Sequence, residues 1–459
     1  MLAGTAYTTF DGVSVAPASI LVKYTYPGDT NLDGVVNGGD YTRIDDGFVS
    51  KLTGWSNGDV NYDGIINGSD YTLLDNVYNQ QNSTLNSAGF TLKILASFNY
   101  STTGQYIYAG LTLSSNQSTL YGVTYLGGTN TGGTVFSEPV AGGTASVIAS
   151  LNNSLANSPY YSQASLILYG GVLYGTASGG DSNSDGTVFS VTTAGTVKVL
   201  ASFNGTNGSD PQARLVVSSN GSTLYGTTSQ GGANGLGTVF SVPTAGGTIT
   251  DLASFSGANE ADCRSPLILS GSTLYGTTQG TSTVRTPTAY DGTVFSISTS
   301  AVNSTVTVLA TFNNSNGASP ISDLVLANGI LYGTASEGGP GGQGTVFSLP
   351  IAGGNPATLA SFNGSNGGDV GGGLLLLGST LYGDTYGLPS SSNPNGTVFS
   401  VPITGGNPTT IATFNGSGSG ENPICDLVAD SNGILYGTTD NGGANGDGTI
   451  FSLTPIPVP

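Results

Sequence analysis

The sequence predicts a mainly β protein, a seven-bladed β-propeller with four-stranded antiparallel blades, and three recurring phrases carry that prediction. Leu-Tyr-Gly recurs with its tyrosine at Tyr121, Tyr174, Tyr225, Tyr275, Tyr332, Tyr382 and Tyr436. Gly-Thr-Val/Ile-Phe follows each copy, ending at Phe136, Phe189, Phe240, Phe295, Phe347, Phe399 and Phe451. A phrase close to Leu-Ala-Ser-Phe precedes each Leu-Tyr-Gly and ends at Phe98, Leu151, Phe203, Phe255, Phe312, Phe362 and Phe414. Three phrases at a spacing of 50 to 57 residues mark one supersecondary unit repeated seven times.

The third unit shows how each element arises. Leu215-Val216-Val217 is a short apolar run, and Thr223 to Thr228 is a second strand built on Leu-Tyr-Gly. Gly-Gly-Ala-Asn-Gly (231–235) turns the chain into a third strand, Gly237 to Val242, and Ala245-Gly246-Gly247 turns it into a fourth, Thr250 to Phe255. Short strands joined by Gly-rich turns make one antiparallel blade, and blades of this length arranged about an axis make a propeller. The phase of the repeat predicts closure. Leu95-Ala96-Ser97-Phe98 stands before any Leu-Tyr-Gly, and nothing follows Gly448-Thr449-Ile450-Phe451 to serve as an outer strand. The N-terminal strand is therefore expected to complete the last blade, which removes an exposed edge. The recurring phenylalanines and Leu-Tyr-Gly tyrosines are expected to pack between blades.

Composition narrows the function classes. The chain has 459 residues, 27 acidic against 8 basic, and a formal net charge of −19. That balance argues against nucleic acid, which needs a Lys/Arg footprint, and favours cationic partners. There is no histidine, so imidazole metal ligands and His-based catalysis are excluded. No apolar run is long enough to span a membrane. Met1-Leu2-Ala3-Gly4 opens without the basic and apolar stretches of a secretion signal, and is read as a trimmed end. Cys263 and Cys425 fall in nearly opposite blades, too far apart for a disulfide, and are expected to be free, half-buried thiols.

Leu-Tyr-Gly-Thr-Thr, Gly-Gly-x-x-Gly-x-Gly-Thr-Val-Phe-Ser and Leu-Ala-Ser-Phe-Asn-Gly resemble the Gloeo/Verruco (GloVer) repeat over about 91–459. The resemblance implies an exported bacterial repeat protein and assigns no activity. Members often end in a sorting tail opened by a Pro-Glu-Pro signature, and Pro455-Ile456-Pro457-Val458-Pro459 looks like the stub before such a tail.

Ahead of the repeats, residues 28–48 and 58–78 are a duplication with 11 of 21 positions identical. Each copy offers oxygen at the spacing of a calcium loop: Asp29, Asn31, Asp33, Asn37 and Asp40, then Asp59, Asn61, Asp63, Asn67 and Asp70. The backbone carbonyls of Val35 and Ile65 fill the seventh loop position, and Gly34 and Gly64 allow the sharp turn. Calcium needs six to eight hard oxygen ligands, which this set supplies. Nine of the 27 acidic residues lie between 29 and 75, a cluster that would repel itself without metal. Aspartate replaces glutamate at position twelve. Short helical stretches at 41–44 and 71–74 are expected to pack the pair together, with Trp55 against them.

The tandem loops resemble a type I dockerin, which implies two Ca²⁺ ions and, in that family, a cohesin partner. Positions ten and eleven, where dockerins place recognition side chains, are Gly38-Gly39 and Gly68-Ser69, leaving a cohesin little to read. The expected domains are a β-strand segment at 1–27, the dockerin-like module at 28–78, a linker at 79–90 and the propeller at 91–459.

Three propeller features suggest ligand chemistry. Tyr125, Tyr386 and Asp440 share the repeat position just after Leu-Tyr-Gly-x-Thr, where the other blades carry Ser or Gln. They belong to blades one, six and seven, which the closed ring makes neighbours. Two aromatics flanking a carboxylate suit a sugar; drift at a solvent position is the plainer alternative. Asp181-x-Asn183-x-Asp185-Gly186 in blade two is the front half of a calcium loop, a candidate third site, although Asp and Asn are also ordinary turn residues. Glu260, Asp262, Asp323, Glu421 and Asp426 are placed to approach the axis, with Arg264 beside them, but share no catalytic spacing. The whole reads as a non-enzymatic, exported, calcium-binding structural or adhesive protein of the bacterial cell surface or extracellular matrix, self-assembling through its N-terminal module. A glycan-binding propeller with surface polysaccharide as partner is the alternative, and a carbohydrate-active enzyme comes third.

Overall fold

Both faces of each blade's second strand are buried, as they must be when a sheet has a neighbour on either side: Thr223–Thr228 is buried from Leu224 onward. The computed structural model describes residues 89–154, 158–180, 184–257, 260–280, 291–387, 393–423 and 426–456, with Thr9, Phe10, Val13, Ser14, Val49, Lys51, Ile65 and Ile66. Within them, seven four-stranded antiparallel sheets form a seven-bladed propeller. Blade three pairs Val216–Val217, Thr223–Thr228, Thr238–Pro243 and Thr250–Ser254 in chain order, and blades one to six follow that pattern.

The repeated phrases are explained by one packing unit. Gly226 of Leu-Tyr-Gly pairs across the sheet with Phe240. A methyl group on Gly226 would sit 2.7 Å from the tip of that ring, so only glycine lets the phenyl lie flat over the strand. The same clash, at 2.4 to 3.0 Å, recurs at the equivalent glycine of every blade. The ring then meets the phenylalanine that ends the preceding blade's outer strand. Phe203 and Phe240 are edge-to-face at 5.0 Å, and five further pairs span 4.7 to 5.3 Å. Between blades one and two Leu151 takes that place against Phe189 in a shared core. A register shift opposite the Val–Phe step bulges the outer strand in every blade, turning its leucine or isoleucine inward or toward the next blade.

Closure follows the expectation. Phe90–Ser97 pairs with Thr449–Pro455, so the seventh sheet is Val428–Ala429, Leu435–Thr439, Thr449–Pro455 and Phe90–Ser97. Leu95, Phe98, Ile450 and Tyr436 of that blade share a core with Leu111, Leu120 and Phe136 of blade one. One residue departs from this apolar seam. Glu138, on the same sheet face as Phe136, is fully buried where the other blades carry Val, Ile or Leu. Neither of its carboxylate oxygens has a hydrogen-bond partner, and burial pushes its pKa up to about 7.

The chain divides into two compact units, Met1–Leu85 with Pro457–Pro459, and Asn86–Ile456. In the first, Thr9–Phe10 and Val13–Ser14 pair as a short antiparallel ladder. Of the calcium-loop residues only Ile65 is described; it is exposed, and its neighbour Ile66 is buried. The other loop ligands and the two helical stretches lie outside the described residues, as do Trp55, Asp181, Asn183 and Cys425. Asp185 is half-buried, and its carbonyl accepts the Asp210 N–H at 2.9 Å. Cys263 is free but wholly buried rather than half-buried, donating to the Thr277 carbonyl at 3.1 Å, and burial pushes its thiol up to about 12. No helix among the described residues is long and apolar enough to cross a membrane.

Candidate functional site at the propeller axis

A buried leucine opens the inner region of each blade: Leu111, Leu166, Leu215, Leu267, Leu324, Leu374 and Leu427. The residues before it run along the propeller axis. The fifth before is Tyr106, Tyr161, Asp210, Asp262, Ser319, Asp369 or Asn422, each in the left-handed region with φ between 53° and 60°. That conformation is pinned from two sides. The carbonyl accepts the N–H of the residue following Leu-Tyr-Gly-x-Thr, as from Tyr125 to Tyr106, Tyr386 to Asp369 and Asp440 to Asn422. In five blades the N–H also reaches a loop carbonyl of the preceding blade, as Tyr161 does to Gly132 at 3.0 Å. Asp, Asn and Ser tolerate this geometry; tyrosine does not do so readily. A bulky side chain held there stores strain of order 1–3 kcal/mol, and blades one and two both hold one.

The result is an arc of tyrosines. Tyr106 stacks on Tyr108 at 5.8 Å with planes 6° apart, and Tyr108 meets Tyr125 at 5.5 Å. Tyr125 lies 5.0 Å from Tyr161, which meets Tyr160 edge-on at 4.8 Å. All five rings are partly exposed. Burial first, and then the neighbouring Asp440, push the Tyr108 hydroxyl up to about 12, with Tyr106, Tyr125 and Tyr386 adding to the effect. Tyr125, Tyr386 and Asp440 thus all act on Tyr108. Asp440 is 5% exposed; one carboxylate oxygen accepts from the Asn441 side chain at 2.7 Å, and Oδ1 has no partner. Burial raises its pKa to about 7, against the lowering effect of the Asn441 hydrogen bond and with a smaller push from Glu421. Tyr386 is also pushed up, by burial and then by Asp440, Asp369 and Glu421.

Beside the arc lies a pocket of about 120 Å³. Its lining is the third residue before the leucine, among them Tyr108, Gln163, Gln212, Arg264, Ile321 and Gly371, followed by the first residue before it. That deeper layer holds Arg214, Asp323 and Asp426. Arg214 of blade three bonds to Asp323 of blade five, and Asp323 holds the guanidinium's pKa up. Asp426 of blade seven accepts the Gly373 N–H at 3.1 Å and faces the Ser165 hydroxyl of blade two at 3.4 Å. Burial and the adjoining Asp323 push Asp426 up to about 7. Arg264 is anchored by Asp262 at 2.7 Å.

Of the five acids expected near the axis, Asp323 and Asp426 form the deep layer, Asp262 braces Arg264, and Glu421 lies near Asp440. Glu260 is absent from the pocket lining. The sequence reading missed Tyr106, Tyr108, Tyr160, Tyr161 and Arg214. Tyr106 and Tyr161 occupy one repeat position, held elsewhere by Asp210, Asp262, Ser319, Asp369 and Asn422, but no recurring phrase marks that connection in the sequence. Among the described residues no three Cys, Asp or Glu side chains converge as a metal site.

The sequence profile of the Gloeobacter/Verrucomicrobia repeat matches residues 64–290 and 280–457. The chain belongs to that repeat family. Among curated protein sequences none matches it. The chain is similar to a solved structure assigned as TolB from Agrobacterium tumefaciens, at 14% identity over 63% of this chain and 87% of that one, with a TM-score of 0.36. In the Gloeobacter/Verrucomicrobia repeat of this chain the three phrases are packing positions, and the axial residues lie between them. The family pattern therefore defines the frame and leaves the axial face to each blade.

Proposed function

We propose that the propeller is a glycan-binding module of an exported, calcium-stabilised adhesive protein of the bacterial cell surface or matrix, with no catalytic role. The observation that carries the glycan reading is the tyrosine arc beside the unpartnered oxygen of Asp440. Partly exposed rings offer faces on which the apolar side of a pyranose can lie, and a lone buried acceptor suits a hydroxyl donor. The calcium reading rests on the two loops in 28–78 and their ligand residues Asp29 to Asp40 and Asp59 to Asp70; the third site at Asp181, Asn183 and Asp185 is the weaker part of it. Attachment to a surface, and any self-assembly through residues 1–27, belong to the same reading.

Affinity electrophoresis through gels containing amylose, β-glucan, xylan or mannan tests the glycan part. Wild-type protein is expected to be retarded by at least one, and Tyr125→Ala, Tyr386→Ala and Asp440→Asn each to weaken that retardation. Equal mobility of wild type and all three variants in every gel would sink it. Electron microscopy with and without calcium tests the assembly part; a monomer under both conditions removes it.

A further inference from the structure

We propose that the axial pocket takes the terminal sugar of a glycan end-on, so that the propeller reads chain ends rather than the middle of a passing chain. The inference rests on the glycan reading of the tyrosine arc and adds to it where the chain stops.

Three observations support it. First, the arc and the pocket are one surface, because Tyr108 belongs to both. A sugar chain lying along the rings is led directly to the axis, where a pocket of about 120 Å³ opens, room for the end of a chain rather than a length of it.

Second, the deep layer is tied across the ring. Arg214 spans from blade three to Asp323 in blade five. Asp426 of blade seven joins Gly373 of blade six and Ser165 of blade two, and the Ser165 hydroxyl accepts the Gly110 N–H of blade one at 2.9 Å. The ties extend over six blades in one layer. A polymer threading the axis would have to break them, whereas a chain end can rest upon them.

Third, this floor has polar capacity to spare. Asp323 is only 6% exposed, lines the pocket, and its Oδ1 has no hydrogen-bond partner. A buried acceptor left unpaired is costly. Arg214, bonded to the other Asp323 oxygen, and Arg264, lining the same pocket, supply N–H donors, each already charge-balanced by one carboxylate. In a chain with a net charge of −19, two of the four arginines line this one pocket. Paired charges with spare donors and one spare acceptor fit a neutral sugar, whose hydroxyls both give and accept hydrogen bonds. They do not favour a charged ligand of either sign.

The test uses the full chain and whichever of amylose, β-glucan, xylan or mannan retards it. Cutting that polysaccharide to hexasaccharides by mild acid multiplies the ends at constant mass. End-on binding predicts that the fragments compete at least about tenfold better per gram. Gly371→Tyr places in blade six the residue that blade one carries at the same repeat position, and so fills the pocket without a foreign side chain. It is expected to lose at least about tenfold in affinity, as is Asp323→Asn; should Asp323→Asn fail to fold, Gly371→Tyr alone decides. Fragments that compete no better per gram than the polymer, or a folded Gly371→Tyr that binds like wild type while Tyr125→Ala is weakened, would overturn the end-on inference and leave the glycan reading standing. A wild type retarded by none of the four polymers removes both.

Discussion

Replacing Glu138 by leucine should stabilise the protein, and more so the higher the pH. The carboxyl group is fully buried on the face that blade one presents to blade seven, and both oxygens lack partners. Burial raises its pKa from 4.5 to about 7 in the folded state. Below about pH 4.5 the folded and unfolded chains both hold the proton, and the group costs nothing through ionisation. Between 4.5 and 7 the folded chain holds a proton that the unfolded chain releases, so stability falls as pH rises. Above 7 the penalty is complete, at about 3 kcal/mol. Between pH 5 and pH 8 the share attributable to Glu138 is about 2 to 3 kcal/mol. Asp426 and Asp440 titrate in the same window, but they do so equally in both proteins. The difference between Glu138→Leu and wild type therefore isolates this residue. Thermal melts from pH 5 to pH 8 should show that difference widening with pH, and Glu138→Gln should share the flatter profile without the gain from apolar packing. Parallel curves for wild type and Glu138→Leu, or a leucine variant less stable than wild type at pH 8, would refute the argument.

The packing unit gives a coupled pair of expectations. Phe347→Ala should cost about 3–5 kcal/mol in urea unfolding, because the ring is wholly buried and edge-to-face with Phe312 at 5.0 Å. Gly333→Ala should cost about 1–3 kcal/mol, since its methyl group would stand 2.6 Å from the Phe347 ring tip, and the double variant should cost less than the sum. Calorimetry should find two calcium ions bound to the wild type through the loops of 28–78 and none through them in Asp29→Ala with Asp59→Ala; unchanged metal content would end that reading. Cys263 should resist alkylation at pH 8 in the folded protein and react on unfolding, because its thiol is buried and pushed up to about 12. Mass spectrometry of the labelled peptide checks this.

The frame was legible because it is written seven times. Gly226 under Phe240, and Phe240 against Phe203, are local requirements of a blade and its neighbour, so the same residue types return in each copy. Closure by Phe90–Ser97 was legible for the same reason, since a missing strand at one end matched a surplus strand at the other. The axial residues obey no such rule. Arg214 and Asp323 meet 109 positions apart, and Ser165 and Asp426 meet 261 positions apart. Each partner comes from a different blade, so repetition, which sharpens the packing signal, blurs this one. Tyr125, Tyr386 and Asp440 were found because they broke a repeat position at the end of a recognisable phrase. Tyr106, Tyr108 and Tyr161 sit in a connection without such a phrase, and only the shared left-handed backbone at Tyr106, Tyr161 and their counterparts reveals that the connection is itself repeated.

Pairing Phe90–Ser97 with Thr449–Pro455 has a consequence for how the molecule is made. The first strand of the ring to be synthesised must wait for the last. Until then a growing chain carries two open sheet edges, one of them the apolar run Phe90, Leu92, Ile94 and Leu95. The entropy of closing so long a loop grows only slowly with length, so the delay is one of timing more than of stability. A chain cut short before Thr449 would never close and would keep both edges exposed to proteases and to other chains. The join thus acts as a check on the ring: only a chain made through Pro455 can cover the strand that opens it.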